Sequence, residues 1–161
     1  MSLRTEHNTS APIAVELQQV ADLLGGTRLL RHKLRNPLDA HEMLLQGLPG
    51  QALRHLIDSL VVLEMTGSLE QAIGMSLRTY QRHRDAPTKP LNQEQSGRTW
   101  KFAEILARAT AIFGSQEDAE QWLERPAIGL DQRRPIDLLA TPAGVEIVEA
   151  FLTRLKYGVY M

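Results

Sequence analysis

The stretch Ser115-Gln-Glu-Asp-Ala-Glu-Gln-Trp-Leu123 decides the fold, because it carries its own start and stop signals. Its serine is followed three residues later by Asp118, as in a capping box, where a hydroxyl oxygen accepts a hydrogen bond from a free backbone amide. Trp122 shares a helix face with Ala119, and Pro126 prevents the helix from continuing. The stretch therefore predicts a short helix with one apolar face.

The sequence beyond this helix predicts further helices. Pro135 occupies a position where a first-turn proline is tolerated, and Thr141-Pro142 repeats the pattern of a capping residue followed by proline. Apolar residues then recur at steps of three and four, which indicates one stripe of a helix. They are Val145, Val148, Leu152, Leu155 and Val159. Gly158 is predicted to end this helix in a left-handed conformation.

The rest of the chain also predicts helices rather than strands. Apolar spacing indicates helices over residues 13–24, 27–34 and 38–45, a run from Leu53 that ends near Gly67, and a long helix from about Asn92 to Phe113. Sustained alternation is absent, and so are the Asn-Gly and Asp-Gly turns typical of hairpins. The sequence predicts an all-α fold, with the proline-punctuated residues 85–91 as a linker between two domains.

Residues 68–84 have the pattern of a helix-turn-helix unit. A short helix is broken at Gly74, and Ser76 caps a second helix whose Leu77 and Tyr80 are predicted to point inward. Arginine suits guanine edges and phosphates, and a capped helix start offers free amides to a phosphate. The candidate DNA contacts are therefore Ser76, Arg78, Thr79, Gln81, Arg82 and Arg84.

An alternative interpretation is a structural helix-turn-helix within a protein-interaction module that binds no DNA. Glu70 stands where the first helix of such units usually has a small residue, and the formal net charge of the chain is −1. The charge is nevertheless unevenly distributed. Residues 76–101 carry six basic and two acidic side chains, whereas residues 115–141 carry six acidic and three basic ones. This pattern favours a polyanion-facing middle and a different partner for the end of the chain.

Composition and motifs exclude several classes of function. The 161 residues contain no cysteine, which excludes disulfides and thiolate sites and is compatible with a reducing cytosol. Neither a signal peptide nor a membrane span is recognisable, so we expect a cytoplasmic protein. The five histidines lack metal-ligand spacing, and no phosphate-binding glycine loop or nucleophile elbow is present. The acids at 117, 118, 120 and 124 are interpreted as a solvated helix face. We expect no catalytic residue, no metal and no cofactor.

The end of the chain has the features of a protein interface. The last predicted helix is followed by a segment around Gly158 that contains Tyr157, Val159 and Tyr160. Aromatic side chains of this kind are typical anchors of protein interfaces. A fraying helix end is the alternative. Trp122 is interpreted as a core residue, with partner contact as the alternative.

Taken in order, these elements resemble the Xre-type antitoxins of RES–Xre toxin–antitoxin pairs, a group related to the MbcA and ParS antitoxins. The resemblance covers residues 44–161. It is carried by Gly47-Leu-Pro49, Gly74-Met-Ser-Leu-Arg-Thr79, residues 91–96, Ala109-Thr-Ala-Ile-Phe-Gly114, Ala119-Glu-Gln-Trp-Leu123 with Pro126, Pro135-Ile-Asp-Leu-Leu139, Thr141 with Gly144, and Tyr157-Gly-Val159.

The resemblance implies an antitoxin that is not an enzyme. Residues 1–37 would form an N-terminal arm and helices, 38–90 a Cro-like helix-turn-helix domain that dimerises and binds operator DNA as an autorepressor, and 91–161 a small helical toxin-binding domain. That last domain would neutralise a RES toxin, an enzyme that consumes NAD, by occluding its active site within a higher hetero-oligomer. The residues to which the resemblance assigns toxin binding are Trp122, Arg154, Lys156, Tyr157, Gly158, Val159, Tyr160 and Met161.

Overall fold

The computed structural model describes residues 10–158, with side chains described from residue 16 onwards. In this range the chain forms helices without strands, and the all-α prediction is confirmed. The helices are α1 (Ser10–Leu23), α2 (Gly26–Leu30), α3 (Pro37–Gln46), α4 (Gly50–Ser59), α5 (Gly67–Ile73), α6 (Leu77–Asp85), α7 (Gln93–Phe113), α8 (Gln116–Glu124), a 3-10 turn (Ile128–Leu130), α9 (Pro135–Leu138) and α10 (Pro142–Lys156). None of the helices within residues 10–158 is long and apolar enough to cross a bilayer.

The long helix α7 lies at the centre and packs against α1, α3, α5, α8 and α10. Asn92 caps its start: the side chain accepts a hydrogen bond from the Gln95 amide at 2.7 Å, and the Gln95 side chain accepts one from the Asn92 amide at 3.1 Å. Gly114 ends it at φ 94°, a left-handed conformation in which glycine is favoured. Phe102, Ile105 and the other residues buried along α7 belong to one continuous core with residues of α1 to α10.

The predicted caps of the C-terminal helices are present. The Ser115 side chain accepts a hydrogen bond from the Asp118 amide at 3.1 Å, and Thr141 does the same for the Gly144 amide at 3.0 Å. Gly144 also permits a close approach between α9 and α10, since a Cβ there would lie 1.9 Å from the Leu138 carbonyl oxygen.

Two predictions about side-chain direction are wrong. Leu77 is 40% exposed rather than inward, because the buried side of the short α6 is filled by Tyr80, which is 5% exposed. Glu120 is fully buried rather than solvated. It lies on the side of α8 that faces the loop after α4, where it meets free backbone amides. The helix that starts before Leu53 accordingly ends at Ser59, well before Gly67.

The proline-containing segment between α6 and α7 is tied to the start of α4. The Gly50 amide donates to the Lys89 carbonyl oxygen at 3.1 Å, and the Leu91 amide donates to that of Leu48 at 2.7 Å. The Ser96 hydroxyl, fully buried, accepts a hydrogen bond from the Leu48 amide at 2.9 Å. The division of the chain into domains at residue 90 stays a prediction.

Candidate functional site

The second helix of the helix-turn-helix unit, α6, presents a polar face. Ser76 accepts a hydrogen bond from the Thr79 amide at 3.1 Å, and Arg82 Nη2 donates to the Thr79 hydroxyl at 3.3 Å. Arg78, Gln81 and Arg82 are exposed and lie three and four positions apart, hence on one face. Thr79 lies at the edge of that face and is half-buried.

Arg84 is exposed and lies three positions after Gln81, at the edge of this face opposite Thr79. A helix turns by about 200° over two positions, so Arg84 lies far from Arg82. The predicted DNA contacts of α6 thus span one broad polar face between Thr79 and Arg84, with Ser76 at the helix start.

Two basic residues of the predicted polyanion-facing run are engaged elsewhere. Lys101 Nζ lies 2.6 Å from Glu104 and 3.4 Å from Glu149. Arg98 is half-buried, and its guanidinium donates to the Gln71 carbonyl oxygen, to that of Ala72 at 3.2 Å and to that of Ala140 at 3.1 Å. The basic surface around α6 is smaller than the sequence indicates.

Arg98 joins the helix-turn-helix unit to the C-terminal helices. Its first two acceptors are carbonyls at the end of α5, and the third lies between α9 and α10. Gly74, at φ 74°, ends α5 directly above it: a Cβ at this position would lie 2.5 Å from Arg98 Nη1. No local sequence signal pointed to this contact, because the partners lie 26 to 42 positions away.

A second polar contact joins the start of α5 to α9. Ser68 Oγ donates to Asp137 at 3.0 Å, and Arg134 pairs with the same carboxylate at 2.9 Å. The hydrogen bonds from Arg134 lower the pKa of Asp137. The first helix of the helix-turn-helix unit, α5, is thus held at its start by Asp137 and at its end by Arg98.

An open groove lies between α8, the 3-10 turn and α10. Its wall is a row of three aromatic rings, in which Trp122 stacks on Phe151 with centroids 5.9 Å apart and lies 5.3 Å from Phe113. Arg154 lies over the Phe151 ring at 5.7 Å, a cation–π distance. Ile128 at the rim is 86% exposed. The groove offers apolar rings, an exposed aliphatic side chain and a cation to a partner.

The predicted partner-binding residues divide between two faces of the C-terminal region. Trp122 and Arg154 both line the groove, and Trp122 is half-buried, with part of its surface against the core. Lys156 lies on the other side of α10, 3.8 Å from Glu16 of α1. Tyr157 is 70% exposed, and Gly158 has φ 65°, the left-handed conformation predicted for it. Val159, Tyr160 and Met161 lie outside the described residues.

Nothing in the local sequence distinguishes Phe151 or Ile128 as a partner-binding residue. Phe151 reads as one more apolar residue of the α10 stripe, and only the fold places it opposite Trp122. A lone isoleucine in the turn after Pro126 was the available signal for an exposed apolar side chain. Within residues 10–158 no cluster of three or more histidines and acids could hold a metal ion.

Comparisons with known proteins match adjoining parts of the chain. Residues 39–104 match the family model of the antitoxin Xre-like helix-turn-helix domain, and residues 108–158 match that of the antitoxin Xre/MbcA/ParS C-terminal toxin-binding domain. An antitoxin Xre of Pseudomonas putida is 33% identical over 70 residues, which are 44% of this chain and 44% of that protein. An antitoxin Xre of Photorhabdus laumondii is 28% identical over 94 residues, which are 58% of this chain and 63% of that protein. The alignments thus span less than two thirds of either relative.

Proposed function

The chain belongs to the Xre-type antitoxin family, and we propose that it is the antitoxin of a type II toxin–antitoxin pair. The matched families are binding domains of antitoxins, not enzymes. The observation that carries the proposal is that two chemically different surfaces lie in the two matched regions. The polar face of α6 falls within the helix-turn-helix match, and the aromatic groove falls within the toxin-binding match.

The toxin contact would combine the groove with the end of α10. A toxin segment carrying an apolar anchor and an acidic group fits a groove walled by Trp122 and Phe151 and flanked by Arg154, because aromatic and arginine side chains dominate the energetics of interfaces. The end of α10, with Tyr157 exposed, would reach the active site of a RES-type, NAD-consuming toxin and exclude its substrate. This inhibition needs no chemistry from the antitoxin.

The DNA contact would be made by α6 in the major groove of the operator, giving autorepression. Arg78 and Arg82 can reach guanine edges or phosphates, and the capped helix start can bind a phosphate. Helix-turn-helix proteins usually bind as dimers to two half-sites, so we expect a homodimer that forms a higher hetero-oligomer with the toxin.

The alternative is an interaction module without DNA binding. The observation that favours it is the engagement of Arg98 and Lys101 in internal contacts, which leaves fewer cations beside α6 for phosphates. Glu70, half-buried within α5, does not distinguish the two functions.

Toxin neutralisation can be tested by measuring NAD consumption by the cognate toxin in the presence of antitoxin variants. We expect Ile128→Arg to weaken inhibition and removal of residues 157–161 to abolish it, because the first blocks the groove and the second clears the active site. Val61→Arg, at a side chain 65% exposed outside the groove, is the control. Full inhibition by the truncated protein would remove the tail from the mechanism.

Operator binding can be tested by titrating the purified protein against its own promoter at several salt concentrations. Arg82→Ala should weaken binding and reduce the salt slope by about one. Arg133→Ala removes an exposed arginine from the C-terminal region and should leave the slope unchanged. If the unaltered protein shows no binding to its promoter, the interaction module is the better description.

A further inference from the structure

The outer face of α3 carries apolar side chains that no other part of the described chain covers. Ala40 and Met43 point into the core, where the helix packs against α7. On the opposite side Leu38 is 61% exposed and Leu45 is 52% exposed. The two leucines are seven positions apart, which places them on one face of the helix, as in the seam of a coiled coil.

Two titratable residues flank this apolar seam. His41 and Glu42 are both exposed, and by helical geometry each lies about 50° from the line joining the leucines, on opposite sides of it. The face is therefore apolar along its middle, with an imidazole on one flank and a carboxylate on the other.

We infer that this face pairs with the same face of a second copy, with the two α3 helices parallel. In a parallel pair related by a twofold axis along the helices, each leucine meets its own counterpart. His41 of each subunit then lies beside Glu42 of the other, on both flanks. An antiparallel pair would instead place histidine beside histidine and glutamate beside glutamate. The parallel arrangement lets each imidazole donate a hydrogen bond to a carboxylate and keeps the two glutamates apart, so it is favoured and the surface is self-complementary.

Further apolar area is available next to this face. A groove of about 690 Å³ runs between α1, α3, α7 and the end of α10, and Val20, Leu44 and Trp100 line it. His41 stands at its edge, so a second copy seated on α3 also lies at the mouth of the groove. The other exposed large apolar side chains, such as Val61, Ile128 and Ile147, stand singly on other elements.

The inference deepens the proposed function, because it names the surface through which the expected homodimer forms. The polar face of α6 shares no residue with it, so one dimer can present two recognition helices. The pairing can be measured without DNA and without toxin. Its failure would therefore leave the toxin and operator experiments unaffected.

The absence of native cysteine makes crosslinking selective. Leu38→Cys alone and Leu45→Cys alone should each give a disulfide-linked dimer in mild oxidant, because parallel pairing brings each residue to its own counterpart. Ile147→Cys is the matched control at an exposed apolar position on α10, and it should stay monomeric on denaturing gels. Crosslinking only in the Leu38→Cys/Leu45→Cys double variant would indicate antiparallel pairing and overturn the inference.

The charge argument has its own test, by sedimentation over protein concentrations from about 1 to 100 µM. His41→Glu should raise the dimer dissociation constant about tenfold, because it places two acids together on both flanks. His41→Glu/Glu42→His should restore association, since an imidazole faces each carboxylate again. An unaltered protein that is monomeric throughout this range, or a double variant that associates no better than His41→Glu, would overturn the proposal.

Discussion

Glu120, buried on α8, accepts a hydrogen bond from the backbone amide of Val62 at 2.9 Å. The same carboxylate accepts from the Val61 amide at 3.0 Å and the Leu63 amide at 2.9 Å, and Gln116 donates to it at 2.9 Å. The backbone amides of residues 61, 62 and 63, which follow the end of α4, thus all donate to one carboxylate. The loop between α4 and α5 is therefore fixed by a residue that lies almost sixty positions away.

Glu120→Gln should destabilise the protein by about 2–4 kcal/mol, because the amide group replaces one acceptor oxygen by a donor that faces other donors. The measurement is urea unfolding followed by circular dichroism. Glu117→Gln removes an exposed acid from the first turn of the same helix and should lower the free energy of unfolding by less than about 1 kcal/mol. Equal effects of the two substitutions would contradict the role given to Glu120.

Gly74→Ala and Gly97→Ala should act in opposite directions. At Gly74 the backbone has φ 74° and a Cβ would collide with Arg98, so we expect a loss of at least about 1 kcal/mol. Gly97 lies inside α7 with nothing within 4 Å of a Cβ, so alanine should stabilise by about 0.5–1 kcal/mol. Thermal unfolding of both variants checks this, and a destabilising Gly97→Ala would show that the helix argument fails there.

Thr99→Val should stabilise the protein by about 1 kcal/mol. Thr99 is fully buried on α7 and its hydroxyl has no hydrogen-bond partner, whereas valine has nearly the same shape and no polar group to bury. Thr110→Val is the control, because the Thr110 hydroxyl donates to the Leu106 carbonyl oxygen at 2.7 Å. In chemical denaturation the free energy of unfolding should rise for Thr99→Val, and it should fall or rise clearly less for Thr110→Val.

The stability of the protein should fall as the pH drops below about 6.5, in part through His83. Burial, followed by the charges of Lys89 and Arg82, lowers the pKa of this half-buried histidine on α6. The unfolded chain therefore binds a proton at a higher pH than the folded chain does. The corresponding stability is present above the unfolded pKa and is lost as the pH falls through the folded pKa. Unfolding of the protein and of His83→Gln at pH 7.5 and 5.5 measures the difference, which should be smaller in the variant.

The features predicted from the sequence are those whose partners lie within a few residues. Ser115 and Thr141 bond to amides three positions ahead, and Gly74 and Gly114 stop helices by their own conformation. The helix-turn-helix pattern and the α10 stripe are local in the same sense. The burial of Glu120 and the carbonyl contacts of Arg98 could not be predicted, because a carboxylate or guanidinium on a helix gives no sign of backbone groups that the fold brings to it. Leu77 was misjudged because a helix of nine residues needs few inward positions, and Tyr80 already fills the space.

The central position of α7 bears on how such proteins could exchange parts during evolution. Recombination that joins the first half of one relative to the second half of another would have to respect the faces of a single helix, since α3 and α5 pack on it as well as α8 and α10. A crossover in the proline segment before α7 would pair a foreign α7 with the original α1, α3 and α5. The residue at position 98 and its acceptor at position 140 would then come from one relative, and its acceptor at position 72 from the other. A hybrid cut on either side of α7 would therefore need a partner half whose helices fit the exposed face of that helix.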